Sequence, residues 1–176
     1  VGKADLSAAS ILADITAKAR NIGSYAPGDL EAMLKQDSFA EVSMATYKTW
    51  LDAFDPALRN KILADWGPVE QEKLMTYQFE NHRAFIIPRL EYGNIILLPQ
   101  PVRGWSEDLE KLYHADDLAP HHQYVAVYSW LRNTVNIDAL VHMGTHGTLE
   151  WLDGKDSGLS REDAPDALLG DIPNIN

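Results

Sequence analysis

From Ala139 to Lys155 the chain reads A-L-V-H-M-G-T-H-G-T-L-E-W-L-D-G-K, and this stretch decides the fold that we expect. It begins as a short apolar run, which is typical of the end of a buried strand. The run breaks at Gly144 and Gly147, and the residues after them indicate one or two helical turns. A glycine-rich turn that leaves a buried strand lies where α/β folds commonly bind ligands. The stretch therefore predicts an α/β fold with a ligand site at the end of this strand.

Three side chains of this stretch have the chemistry of a metal or proton site. His142, His146 and Glu150 follow one another at intervals of four residues. Two imidazoles and a carboxylate can bind a divalent metal or transfer protons near neutral pH. Simpler roles stay open, because His142 could bond to backbone as buried polar groups generally do, and Glu150 could be an exposed acid near a helix start. Lys155 could likewise be a solvated turn lysine.

The part of the chain before this stretch changes character from helical to β-rich. Residues 1–67 are predicted to be helical because their apolar residues recur at helical spacing. Asp55 as N-cap, Pro56 at the first helical position and Gly67 just beyond the end bound the clearest of these helices. The four helices are expected over residues 5–20, from Asp29, over Glu41–Phe54, and from Asp55 to Gly67.

Residues 68–176 are predicted to form an α/β segment. Two apolar runs, Ala84–Ile87 and Asn94–Leu98, have strand character, and a helix with one apolar stripe is expected from about His121 to Asn133. Strand, helix and strand in this order suggest a βαβ unit and a small, mainly parallel sheet. His121 and His122 lie in the first helical turn, where protonated imidazole is unfavourable, so we expect them to titrate low or to face an anion. We also expect both to be mostly exposed.

Composition excludes several classes of function. The formal net charge of −11 makes nucleic acid and anionic membranes poor partners, and no apolar run approaches the length of a membrane span. The absence of cysteine rules out disulfides and thiolate metal sites and fits a cytoplasmic protein. The chain starts at Val1 and stops without a capping element, so we interpret it as an internal piece of a larger protein.

The stretch from His142 to Lys155 closely resembles the signature of the large subunit of the class I chelatases. This family comprises the CobN-type cobaltochelatases and the H-type subunits of magnesium chelatase. Further blocks of this sequence are similar to blocks that accompany the signature in the family. They are Trp66-Gly67, Gly93-Asn94-Ile95 with Pro99-Gln100-Pro101, Pro120-His121-His122 with Tyr128, and Leu168 to Pro173.

The resemblance implies a large subunit that binds a tetrapyrrole and inserts a metal, a ligase reaction that forms nitrogen–metal bonds. It also implies two partners, an AAA+ ATPase subunit and an adaptor subunit; the chain itself has no G-x-x-x-x-G-K-[ST] motif, so ATP would be used by the partner. For such a reaction we expect His142, His146 and Glu150 to be the catalytic residues and to hold the metal transiently. The residues that we expect to hold the macrocycle are Arg103, Lys155, His114, His121 and His122.

Details of the sequence favour the cobalt branch. Arg103-Gly104-Trp105 and the pair Tyr113-His114 look like the CobN-type loop, which implies Co²⁺ insertion into a corrin precursor in cobalamin biosynthesis. The alternatives are Mg²⁺ insertion into protoporphyrin IX, and a non-catalytic module that binds the tetrapyrrole or docks the motor. A free-standing metallohydrolase is a weaker hypothesis, because the stretch lacks the H-E-x-x-H order. We expect the isolated piece to be inactive.

Overall fold

A computed structural model describes residues 5–23, 26–102, 118–144, 149, 152 and 158–175. Contacts group the chain into two compact units that interleave along the sequence. Unit 1 comprises Val1–Ser43 and Lys73–Pro101, and unit 2 comprises Met44–Glu72 and Val102–Asn176. The division that the sequence predicts, 1–67 and 68–176, differs from this grouping and stays a prediction.

Both units contain helices and short strands, which confirms the predicted α/β class. The elements of unit 1 are α1 (Ala8–Lys18), α2 (Pro27–Leu34), β1 (Phe39–Ser43), β2 (Thr76–Gln78), β3 (Arg83–Pro88), β4 (Leu90–Tyr92) and β5 (Ile95–Leu97). The elements of unit 2 are α3 (Met44–Asp52), α4 (Pro56–Trp66), a 3-10 turn (Val69–Gln71), α5 (His122–Trp130), a π-helical turn (Leu131–Val135), β6 (Leu140–Val141), α6 (Ala164–Leu169) and β7 (Asn174–Ile175).

Unit 1 is built on a three-stranded antiparallel sheet in the order β1-β3-β2. The central strand β3 is buried from Ala84 to Pro88, which explains its unbroken apolar run. The predicted helix over Glu41–Phe54 is therefore partly wrong, because Glu41–Ser43 belong to β1 and pair with β3. Helix α3 begins one residue later, at Met44. Pairing with a buried strand overrides a helical pattern that is read from sequence alone.

The expected βαβ connection is not confirmed in the described part of the chain. Strand β5, inside the predicted strand Asn94–Leu98, pairs antiparallel with β4 through a two-residue turn. Gly93 has a φ of 63° there, a conformation that glycine adopts without strain and that two-residue hairpin loops favour. The expectation of a mainly parallel sheet is also corrected, since β6 with β7 is the one parallel pair among the described strands. A local hairpin needs no crossover, whereas a parallel pair does.

The local signals around α4 are confirmed. The Asp55 side chain accepts a hydrogen bond from the backbone N–H of Ala57 at 2.8 Å, and Pro56 is the first helical residue. Gly67 follows the helix with a φ of 77°. Leu58 and Ile62 are buried, as their spacing predicts. This helix therefore places Trp66 and Gly67 at its carboxyl end.

Helix α5 is the centre of unit 2. All nine of its residues are buried, whereas the sequence predicted a single apolar stripe. A helix that is surrounded by protein on every side has no solvent face to which polar residues must be confined. The helix continues into the π-helical turn and ends at Asn136, which has a φ of 55°. Among its buried polar side chains, those of His122, Tyr124 and Tyr128 form hydrogen bonds inside the unit.

Gly170 is a position where we expect a large local effect of one methyl group. It follows α6 with a φ of 58°, and a Cβ there would lie 2.5 Å from Cζ of Arg132, whose guanidinium also donates to the Ala167 carbonyl at 3.0 Å. Gly170→Ala is expected to lower the free energy of unfolding by about 1–3 kcal/mol, because it combines left-handed strain with a displaced arginine. Urea unfolding followed by circular dichroism measures this loss.

Gly28→Ala is the matched control for this substitution. Gly28 lies in α2, and a Cβ there meets no described atom within 4 Å. Since alanine is the better helix former, we expect unchanged or higher stability, by up to about 1 kcal/mol. Equal losses for both variants would contradict the role that we assign to Gly170.

Candidate functional site

His142 lies directly after β6, at the place where the sequence predicts the site. Its backbone N–H donates to the Ile175 carbonyl at 2.8 Å, which continues the ladder between β6 and β7. Its side chain is half-buried, and its Nε2 lies 3.1 Å from the hydroxyl oxygen of Tyr128 on α5. The first residue of the signature is thus fixed by both its backbone and its ring.

Two tyrosines on one face of α5 support this contact. The rings of Tyr124 and Tyr128 stack, with centroids 4.9 Å apart and planes at 19°. The Tyr124 hydroxyl donates to the Tyr128 oxygen at 3.4 Å, and both side chains are buried. Residues four apart are neighbours on a helix surface, so α5 itself brings the two phenols together.

His122 is fully buried, and both of its ring nitrogens bond to groups of unit 2. Nε2 lies 2.9 Å from the Gly67 carbonyl, and Nδ1 lies 2.8 Å from the Tyr47 hydroxyl. A carbonyl can only accept, so Nε2 carries the proton and the neutral ring accepts from Tyr47 at Nδ1. Burial lowers the pKa of His122, and it also raises the pKa of Tyr47 well above the usual value. Both groups are therefore neutral near pH 7.

His121 caps the start of α5 and contacts a carboxylate. Its Nδ1 accepts from the backbone N–H of Gln123 at 3.3 Å, and its Nε2 lies 3.0 Å from a carboxylate oxygen of Glu72. The indole ring of Trp66 packs against the imidazole, with centroids 4.6 Å apart. The expectation that His121 faces an anion is therefore confirmed.

The expectation that His121 and His122 are mostly exposed is wrong, since both are buried. They are covered by residues that are distant in sequence, namely Tyr47, Trp66 and Glu72. The sequence around the two histidines does not predict these contacts. Both ring nitrogens of each histidine bond to other groups of unit 2, and these bonds support the packing around α5. Their contact with a macrocycle stays a prediction.

The remaining predicted site residues lie outside the described part of the chain. They are Arg103, His114, His146, Glu150 and Lys155. Two leucines of the same stretch are described: Leu149 and Leu152 are buried, and the N–H of Leu152 donates to the Leu149 carbonyl at 3.2 Å. Among the described residues, no group of three histidine, aspartate or glutamate side chains is arranged to hold a metal ion. No described helix is both long and apolar enough to span a membrane.

Several blocks that the sequence singled out meet around α5. The indole N–H of Trp66 donates to the Ala119 carbonyl at 2.7 Å, at the start of the Pro120-His121-His122 block. Tyr128 contacts the signature through His142, and Arg132 donates to the carbonyl of Ala167, directly before the block from Leu168 to Pro173. Sequence reasoning missed Tyr47 and Glu72, because nothing local pairs them with residues about 50 or more positions away.

A family model described as CobN/Magnesium Chelatase matches residues 4–176. The chain belongs to the CobN/magnesium chelatase family. The resemblance that the sequence predicts is therefore confirmed.

Individual members of the family are similar to this chain over most of its length. The aerobic cobaltochelatase subunit CobN of Pseudomonas aeruginosa is 46% identical over 117 residues, which cover 66% of this chain and 9% of that protein. The H-type subunit of magnesium chelatase from Rhodobacter capsulatus is 35% identical over 114 residues, 65% of this chain and 9% of that protein.

A solved structure shows the same fold. The catalytic subunit of cobaltochelatase from Mycobacterium tuberculosis matches 93% of this chain with a TM-score of 0.73 and 34% identity. The match covers 13% of that subunit. This chain thus spans about a tenth of the length of the chelatase subunits that it matches.

Proposed function

We propose that this chain forms one wall of the tetrapyrrole-binding, metal-inserting site of a chelatase large subunit. The observation that carries the proposal is the position of His142, which opens the H-x-x-x-H-x-x-x-E signature at the end of β6 and is held by Tyr128. On this proposal His142 and His146 deliver the metal or accept pyrrole protons, and Glu150 relays the protons. The positively charged side chains of Arg103 and Lys155 hold the acidic substituents of the macrocycle.

The chemistry of insertion suits these residue types. The pyrrole N–H groups must lose protons, and the hydrated divalent ion must lose water. Neutral imidazole, with a pKa near ~6.5, can accept a proton or ligate the ion around neutral pH. A carboxylate can take the proton onward to solvent. The site must bind the metal weakly, because an ion that is held tightly is not released to the ring.

Cobalt is the metal that we propose, with a corrin precursor as the macrocycle. Identity to the cobaltochelatase subunit of Pseudomonas aeruginosa is 46% over 117 residues, compared with 35% over 114 residues for the magnesium-chelatase subunit of Rhodobacter capsulatus. The alternative is Mg²⁺ insertion into protoporphyrin IX. On either proposal the subunit works with an ATPase subunit and an adaptor subunit that supply conformational work from ATP.

The test is His146→Ala in the full-length subunit, assayed with the ATPase and adaptor subunits and ATP. We expect kcat for Co²⁺ insertion into a metal-free corrin to fall by about 100-fold or more, the usual size of a lost acid–base group. The Kd for the corrin, measured separately by fluorescence quenching, should stay within a few-fold of the wild-type value. A parallel assay with Mg²⁺ and protoporphyrin IX decides between the two branches.

His82→Ala is the matched control, because His82 is an exposed histidine of unit 1 that pairs with Glu41 at 3.4 Å. It should leave both kcat and Kd unchanged. If His146→Ala instead weakens corrin binding while turnover per bound ring is unchanged, the catalytic role is lost. The chain would then be a binding or motor-docking module.

A further inference from the structure

The imidazole of His142 is tethered at two separate points. Its backbone N–H is bonded to β7 through Ile175, and its Nε2 lies 3.1 Å from the Tyr128 oxygen. A side chain with two rotatable bonds that is anchored at its backbone and at one ring nitrogen has a defined ring plane. The orientation of the first signature residue is therefore set by the protein's own groups.

Tyr128 is itself held rigidly. Its ring is buried on α5 and stacks on Tyr124, whose hydroxyl donates to the Tyr128 oxygen at 3.4 Å. A phenol oxygen has two lone pairs, so it can accept a second hydrogen bond, from the N–H of His142. The phenol is thus a fixed acceptor inside the protein and faces a ring that is half-exposed.

Unit 2 contains a second tyrosine–histidine pair, which differs from the first in how deeply its histidine is buried. Tyr47 and His122 form a contact of the same kind at 2.8 Å, and the other nitrogen of His122 is bonded to the Gly67 carbonyl. That imidazole is fully buried and is part of the scaffold. His142 differs in that it is half-buried and opens the signature turn.

We propose that Tyr128 is a positioning residue for His142. Its oxygen accepts the Nε2–H of the neutral imidazole, and the metal or proton chemistry of His142 takes place at Nδ1. Metal-ligating histidines commonly use their other ring N–H in this way, which fixes both tautomer and ring plane. This inference rests on the proposed function, because it assumes that His142 takes part in insertion.

The test is Tyr128→Phe in the full-length subunit, which keeps the stacked ring and removes the acceptor oxygen. With the ATPase and adaptor subunits, ATP, Co²⁺ and a metal-free corrin, we expect kcat to fall by about 10–100-fold, the usual effect of losing such a support. The Kd for the corrin should not change. In a His142→Ala background, Tyr128→Phe should cause no further loss, since the ring that it positions is gone.

Tyr47→Phe is the matched control, because it also removes a buried phenol oxygen from a histidine. It should lower stability and leave kcat per folded molecule unchanged. Equal kcat in Tyr128→Phe and Tyr47→Phe would overturn the inference, as would an additive loss in the His142→Ala background. Unchanged insertion by His142→Ala alone would instead remove His142 from the proposed function, and the inference would fall with it.

Discussion

His122→Ala is expected to lower the free energy of unfolding of unit 2 by about 3–6 kcal/mol. The substitution removes the donor to the part-buried Gly67 carbonyl and the acceptor of the buried Tyr47 hydroxyl. Each buried polar group that loses its partner costs about 1–3 kcal/mol, and the cavity left by the ring adds to this. Urea unfolding of the chain, followed by tryptophan fluorescence, measures the loss.

A double-mutant cycle isolates the bond between Tyr47 and His122. Tyr47→Phe alone should cost about 1–3 kcal/mol, because Nδ1 of His122 loses its donor. In the His122→Ala background the same change should cost much less, since the hydroxyl no longer has this acceptor. His82→Ala removes an exposed ring that stacks on Phe79, and it should change stability by no more than about 1 kcal/mol. Additive losses for Tyr47 and His122 would contradict the pairing.

Local sequence signals correctly predicted the features of the fold that depend on residues close together in the chain. Asp55, Pro56 and Gly67 bound α4 as expected, because a cap, a fixed φ and a left-handed residue act within a few positions. Strand β1 (Phe39–Ser43) was missed, since its pairing with β3 joins residues more than 40 positions apart. The prediction of a mainly parallel sheet was wrong for the same reason, because strand pairing joins residues far apart in sequence. The partner of β6 lies beyond the signature, at Asn174 and Ile175.

In the candidate site, too, features that depend on neighbouring residues were predicted, and features that depend on the tertiary fold were not. The position of His142 at the end of a strand was predicted from the apolar run before it and is confirmed. Its partner Tyr128 was predicted as part of an apolar stripe, because sequence periodicity shows that a phenol is buried but does not show where its hydroxyl points. The burial of His121 and His122 depends on Tyr47, Trp66 and Glu72, which only the tertiary fold brings to them.

The stability of unit 2 is expected to fall as the pH is lowered below about 6.5. Burial lowers the pKa of His122 in the folded state, and the nearby Glu72 and Glu70 raise it in part while His121 lowers it. An unfolded histidine takes up a proton near pH ~6.5. Between the folded and unfolded pKa values, the unfolded state therefore binds a proton that the folded state excludes. The stabilisation is complete above about pH 6.5 and decreases below it, by up to about 1.4 kcal/mol per pH unit.

The measurement is the free energy of urea unfolding between about pH 5 and pH 8, for the wild type and for His122→Gln. Glutamine does not titrate, so the free energy of unfolding of the variant should depend less steeply on pH below about pH 6.5. The difference in slope should correspond to about one proton, whatever the stability of the variant at pH 8. Glu72→Gln should act in the opposite direction, because it removes a carboxylate that raises the pKa of His122. His122 would then resist protonation more strongly, and the acid-sensitive range would extend further down. The same slope in the wild type and in His122→Gln would show that His122 does not set this dependence.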